Sequence, residues 1–171
     1  MRQIWTLSEE DARAAIEAVR DELVRRGKAA VIAVVDAHGE TIALTRMDGV
    51  ALSSVTVATS KAFTAARLKR PSSLIGRNVR HPDTGFDIGF YGDGRYVGFG
   101  GGVPVFRGDS VAGGIGVSGL SSEEDEELAG IGIKAILIFV LARLFRVPRQ
   151  AAVETGFLLG PGGEFAFVVI G

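Results

Sequence analysis

Cysteine is absent from the 171 residues. That excludes disulfides, thiolate nucleophiles and Cys-built zinc or iron–sulfur centres. Histidine is nearly as scarce. His38 and His81 are the only two, too few for a multi-His metal centre within one chain. A surplus of positive charge is also missing. Nineteen Lys and Arg stand against twenty Asp and Glu, a net charge of -1, so no basic field gathers nucleic acid or anionic lipid. No apolar h-region opens the chain. Residues 1–23, MRQIWTLSEEDARAAIEAVRDEL, are charged and amphipathic, and the expectation for this part is a cytoplasmic one.

What is present changes character near Gly130. Upstream, apolar and polar residues alternate as in a water-soluble domain. Downstream, runs such as IKAILIFVLARLF (133–145) and GEFAFVVIG (163–171) read like bilayer-facing sequence. The expected organisation is therefore a domain over 1–130 and an apolar, helical segment over 131–171.

Within 1–130 the local signals are readable in order. Ser8 precedes Glu9, Glu10 and Asp11, an N-cap with acids in the first turn. Ala12, Ala15, Ile16, Val19 and Leu23 follow at helical spacing, and Gly27 closes the helix. VIAVVD (31–36) and TIALTRMD (41–48) form a hairpin around Gly39. Ser53 or Ser54 caps a second helix with a small-residue face at Ala58, Ala62, Ala65 and Ala66, ended by Pro71. Residues 72–98 make a long irregular region. VPVF (103–106) and SVAGGIGVS (110–118) form a second hairpin, and Ser121 and Ser122 cap a last, acidic helix start. Consecutive hairpins demand an antiparallel sheet, so the fold class is α+β.

Several motifs carry both a chemical and a purely structural reading. Gly114-Ile115-Gly116-Val117-Ser118-Gly119 matches G-x-G-x-x-G. The acids at Glu123, Glu124, Asp125 and Glu126 would repel a pyrophosphate there, so these glycines are expected to let the strand pack under a helix. Gly100, Gly101 and Gly102 either lie against a flat ligand or make a tight bend. Arg46, Met47 and Asp48 end a strand, where ligands often sit, or form a surface turn. Lys61 and Arg67 are expected on a solvated edge. His38 and His81 are the histidine candidates for haem ligation or base chemistry, and a turn histidine is also commonly just polar. No Ser–His–Asp triad or paired carboxylates appear by spacing.

RMDG (46–49), ATSKAFTAAR (58–67) and GGGVPVFRGDSVAGGIGVSGLSSEEDEELA (100–129) resemble the GlcG/HbpS-like family, which includes the C-terminal domain of PduO-type proteins. The resemblance implies a profilin-like fold and assembly into homo-oligomers. It also implies a small-molecule ligand, with haem or a related tetrapyrrole foremost. The alternative is an enzyme or accessory protein acting on a small acid or a corrinoid-pathway intermediate, using Arg46 or Arg67 for a carboxylate and His81 or Asp48 as acid/base. Catalytic residues are otherwise unassigned. The expected ligand-binding set is Arg46, Met47, Asp48, His81, Tyr96, Phe99, Gly100, Gly101 and Gly102. From Lys134 onward the chain resembles a late transmembrane stretch of Kef-type cation:proton antiporters, which implies membrane contact by the tail. The alternative is an apolar helix pair that packs onto the domain or a neighbour. Transport by this chain is not expected, because an antiporter needs several packed helices around a polar site.

Overall fold

A computed structural model describes residues 4–144. Helix α1 (Glu9–Arg25) begins with a complete capping box, Ser8 and Asp11 each satisfying the other's backbone N–H. Strands β1 (Val31–Asp36) and β2 (Thr41–Arg46) follow as a hairpin. Asp36 Oδ1 accepts from the N–H groups of His38 and Glu40, which fixes its turn. Helices α2 (Ser53–Leu68) and α3 (Ser72–Val79) come next, then a 3-10 turn at Ile88–Tyr91. Strands β3 (Gly102–Arg107) and β4 (Ser110–Ser118) form the second hairpin, and α4 (Ser122–Leu144) ends the described chain.

The four strands make one antiparallel sheet in the order β2-β1-β4-β3. Helices α1 and α4 cover one face and α2 the other. Alternation along β1 sorts its side chains: Ile32 and Val34 join the α1/α4 core, while Val31, Ala33 and Val35 meet α2. Gly114 and Gly116 face α2. A Cβ at Gly116 would run into the carbonyl of Ala58, and one at Gly114 would sit 2.5 Å from that of Ala62. The G-x-G run is thus a helix-packing surface, matched by the small-residue face of α2.

Two local expectations differ from the structure. Neither Ser53 nor Ser54 caps α2; its N-cap is Leu52, with no side-chain hydrogen bond. The reason is that the preceding residues already wind into turns, with Ser54 N–H donating to Ala51 and Val55 N–H to Leu52. The irregular region also contains α3. Pro71 opens it with an extended conformation, and Ile75 is buried beneath it. Among the described residues no helix is long and apolar enough to cross a membrane. Helix α4 instead runs through Gly130 without a break, burying Ile136 and packing Ile131 and Ile133 against the core. Residues 145–171, including GEFAFVVIG, lie outside the described residues.

Candidate functional site

The loop after α3 is fastened at several points. Ser72 Oγ donates to the carbonyl of Phe99 at 2.8 Å and accepts from Gly102 N–H at 2.9 Å. Thr64 Oγ1 accepts from Val97 N–H at 3.0 Å. Gly98 lies directly on Gly76, where a Cβ would overlap the Gly98 carbonyl. Arg80 closes the arrangement, its Nη1 donating to Gly98 O at 2.9 Å. Aromatic rings brace the loop from outside: Phe63 meets Tyr96 at 5.1 Å, Tyr96 meets Tyr91 at 4.9 Å, and Tyr91 meets Phe86 at 5.4 Å between centroids. The Arg95 guanidinium lies 3.9 Å over the Phe63 ring.

This fastening leaves a cavity of about 400 Å³ walled by Val79, Phe86, Ile88, Tyr96 and Phe99. That volume falls within the range of small-molecule sites. Its charged members are Arg80 and Asp87. Asp87 Oδ1 is engaged as the cap of the 3-10 turn, accepting from Gly89 N–H at 2.8 Å. The Tyr96 hydroxyl makes no hydrogen bond among the described residues. A second cavity, of about 440 Å³, lies between α3 and the start of α4. Its lining is acidic, with Glu123, Glu126 and Glu127 against Arg77, and Glu126 accepts from Ser73 Oγ at 2.9 Å.

The glycine run links the two cavities. Gly100 lines the acidic one. Gly101 adopts φ +116, a conformation side chains disfavour, and a Cβ there would lie 2.7 Å from Lys61 Nζ. Gly102 packs on the Lys61 backbone. Each glycine therefore turns toward protein, with α2 and α4 filling the space a side chain would take.

Lys61 itself is not on a solvated edge. It is 2 % exposed, and Asp125 is 1 % exposed. Lys61 Nζ donates to Asp125 Oδ2 at 2.7 Å and to Val117 O at 2.9 Å, while Asp125 Oδ1 accepts from Leu120 N–H at 3.1 Å. The ammonium also lies 5.4 Å from the Phe99 ring centroid. The burial follows from the glycines: without a Cβ at Gly101 and Gly102, β3 sits close enough to seal the lysine under the strand. Arg67 does stay exposed at the end of α2, donating to His38 O at 3.3 Å.

The remaining candidates lie apart. Arg46 pairs with Val31 and that residue with Ser118, whereas Gly102 pairs with Gly116. Arg46, Met47 and Asp48 thus occupy the same sheet end as Gly102 but the opposite edge, roughly 14 Å away at three strand spacings. Met47 packs partly into the core, and Asp48 is exposed. His81 is exposed beside Arg80, its Nδ1 accepting from the N–H groups of Asp83 and Thr84 at 3.2 and 3.3 Å. His38 sits in the β1–β2 turn, 3.7 Å from Asp36, at the other end of the sheet. Of the predicted set, Tyr96 and Phe99 meet in one cavity.

The family model described as "Haem degrading protein HbpS-like" matches residues 7–134. The chain belongs to the HbpS-like family. An uncharacterised 15.0 kDa protein of Citrobacter freundii, from the dhaT-dhaS intergenic region, is 32% identical over 128 residues, covering 75% of this chain and 90% of that protein. Corrinoid adenosyltransferase PduO of Salmonella typhimurium is 34% identical over 106 residues, 62% of this chain but 32% of PduO, so the likeness reaches about a third of that enzyme. Among solved structures, a PduOC:heme complex superposes with a TM-score of 0.70 at 30% identity, covering 76% of this chain and 94% of that one. The antiporter resemblance is narrower. A 38-residue stretch is 50% identical to chloroplastic K(+) efflux antiporter 2 of Arabidopsis thaliana, which is 22% of this chain and 3% of the antiporter.

Sequence reasoning missed Arg80, Val79 and Ile88 as cavity residues, and Lys61 and Asp125 as a buried pair. For Lys61 a signal existed: it sits within SKAFTAA, where every neighbour on the packing face is small or apolar. Asp125 gave none, being one acid in a run of five.

Proposed function

We propose that this HbpS-like chain binds haem or a related tetrapyrrole in the cavity between α3 and the loop that follows it. The observation that carries the reading is an aromatic cavity of about 400 Å³, walled by Phe86, Tyr96 and Phe99, in a chain of the HbpS-like family. The residues fit such a group. Aromatic faces take up a flat macrocycle, Arg80 supplies a cation for acidic substituents, and the Tyr96 phenol is an oxygen donor without another partner among the described residues. Tyr96 and Phe99 are the contact residues of the expected set; Gly102 shares the Ser72 hydroxyl that fastens Phe99, Gly100 and Gly101 pack on α4 and Lys61 outside the cavity, and His81 adds an imidazole next to Arg80. A bound haem would supply an iron centre for ligand or redox chemistry. The chain's own contribution is to bind and orient the ring and to shield one face from water.

Titration with haemin tests the reading. A saturable Soret shift is expected, weakened at least about fivefold by Phe99→Ala or Tyr96→Ala, the loss of one aromatic contact. Absence of saturable binding would remove haem. The likeness to PduO favours a second reading, in which the same flat cavity takes a corrinoid. Cobinamide displacing bound haemin would support it, and indifference to cobinamide would exclude it.

A further inference from the structure

We infer that Arg80 is the residue that reads a carboxylate on the ligand and so fixes which edge of the ring enters the cavity. This rests on the tetrapyrrole reading above. A guanidinium carries five N–H donors. In Arg80, Nη1 donates to Gly98 O at 2.9 Å and to Gly76 O at 3.2 Å, and Nη2 donates once, to Gly98 O. These bonds use the end of the guanidinium. Nε–H and the outer Nη2–H have no partner among the described residues. Those two donors form the side-on fork that matches the two oxygens of a carboxylate.

Two further observations give the fork a purpose. Among the described residues Arg80 is the one cation lining this cavity. It also pairs with no Asp or Glu among the described residues, whereas Arg95, nearby on the same loop, is held by Asp93 and Glu40. The backbone carbonyls hold the Arg80 guanidinium in place without neutralising it, so little conformational freedom is lost when an anion arrives. Asp87 works in the opposite sense. Its charge in the lining disfavours a second carboxylate there and leaves the Arg80 side as the seat for the acidic edge. A wholly apolar or esterified ring would gain the aromatic walls and forgo the fork.

The test compares haemin with haemin dimethyl ester, titrated into the full chain from the same solvent and followed by the Soret band. Wild type should bind haemin at least about tenfold more tightly than the ester, as one charge-assisted bidentate contact allows. Arg80→Gln should bind the ester as wild type does and lose the preference for the free acid. Arg77→Gln, one turn earlier but lining the acidic cavity, should keep it. Equal affinity of wild type for acid and ester overturns the role of Arg80 while the haem reading stands, and that comparison needs no variant to fold. A preference retained in Arg80→Gln, or lost in Arg77→Gln, also overturns it. Failure of wild type to bind either compound overturns the haem reading and this inference together.

Discussion

At the scale of single residues, the Lys61–Asp125 pair ties three elements together. Lys61 comes from α2, its second acceptor Val117 from β4, and Asp125 from the first turn of α4. Every polar atom of the pair is satisfied among the described residues. Removing one member leaves a buried charge without its counter-ion, which costs about 3–5 kcal/mol, whereas replacing both with apolar residues of similar volume is often neutral. Lys61→Met and Asp125→Leu should each lower unfolding free energy in urea by that amount. The double variant should recover most of the loss, and a double variant as unstable as the sum would overturn this account. Glycines give a second residue-scale prediction with opposite signs at two positions. Gly116→Ala places a methyl group on the Ala58 carbonyl and should destabilise by about 1–3 kcal/mol. At Gly130, inside α4, a Cβ meets nothing within 4 Å, so Gly130→Ala should stabilise by about 0.5–1 kcal/mol through helix propensity.

At the scale of elements, α1 and α4 lie antiparallel and are joined by charge at both ends. Arg26 pairs with Glu127 at 2.6 Å and Lys28 with Glu124 near the start of α4, and Arg143 pairs with Glu10 at 2.6 Å near its end. The acidic run EEDEE, which argues against a nucleotide site, therefore has a partner in the basic end of α1. Glu22 is the hub. The Arg25 hydrogen bond first, helped by Arg26, holds its carboxyl down at about 2 against the opposing effect of burial. Because this folded value lies below the ordinary 4.5, the stabilisation is fully present above about pH 5 and is lost as pH falls toward 2. Lys28 lowers Glu124 and Arg26 lowers Glu127 in the same direction. Urea midpoints of wild type and Glu22→Gln should differ most at neutral pH and converge only as pH falls through about 2; a constant gap would show that Glu22 does not carry this acid sensitivity. These elements were largely legible in the sequence, since period-2 runs such as VIAVVD and the Ser8 cap are local signals. The cavity was not. Tyr96 and Phe99 stood out as aromatics, but their meeting with Val79 and Arg80 depends on Gly98 lying on Gly76, a contact between residues 22 positions apart that no local pattern encodes.

At the scale of the whole molecule, the open question is where the domain ends, and the two candidate ends predict different behaviour. The hydropathy change places it at 130. Helix α4 continues through that point, with Ile136 buried at 5 % exposure and Arg143 reaching Glu10. A chain ending at residue 130 would lose Ile136 from the core, a change comparable to a large-to-small substitution of about 2–5 kcal/mol, together with the packing of Ile131 and Ile133. A chain ending at 144 keeps every contact described here. Among the described residues Leu137, Val140 and Leu141 are exposed on the outer side of α4, and they form an apolar strip in the 144-residue chain. We therefore expect the 144-residue chain to unfold cooperatively with a midpoint close to that of the full chain, and to associate through this strip. The 130-residue chain should unfold at markedly lower urea. Circular dichroism with denaturant, and light scattering without detergent, measure the two effects separately. Equal stability of the 130- and 144-residue chains would place the boundary at 130 and make α4 beyond it an appendage. A monodisperse monomer that Leu137→Lys and Leu141→Lys leave unchanged would show that the exposed strip drives no association.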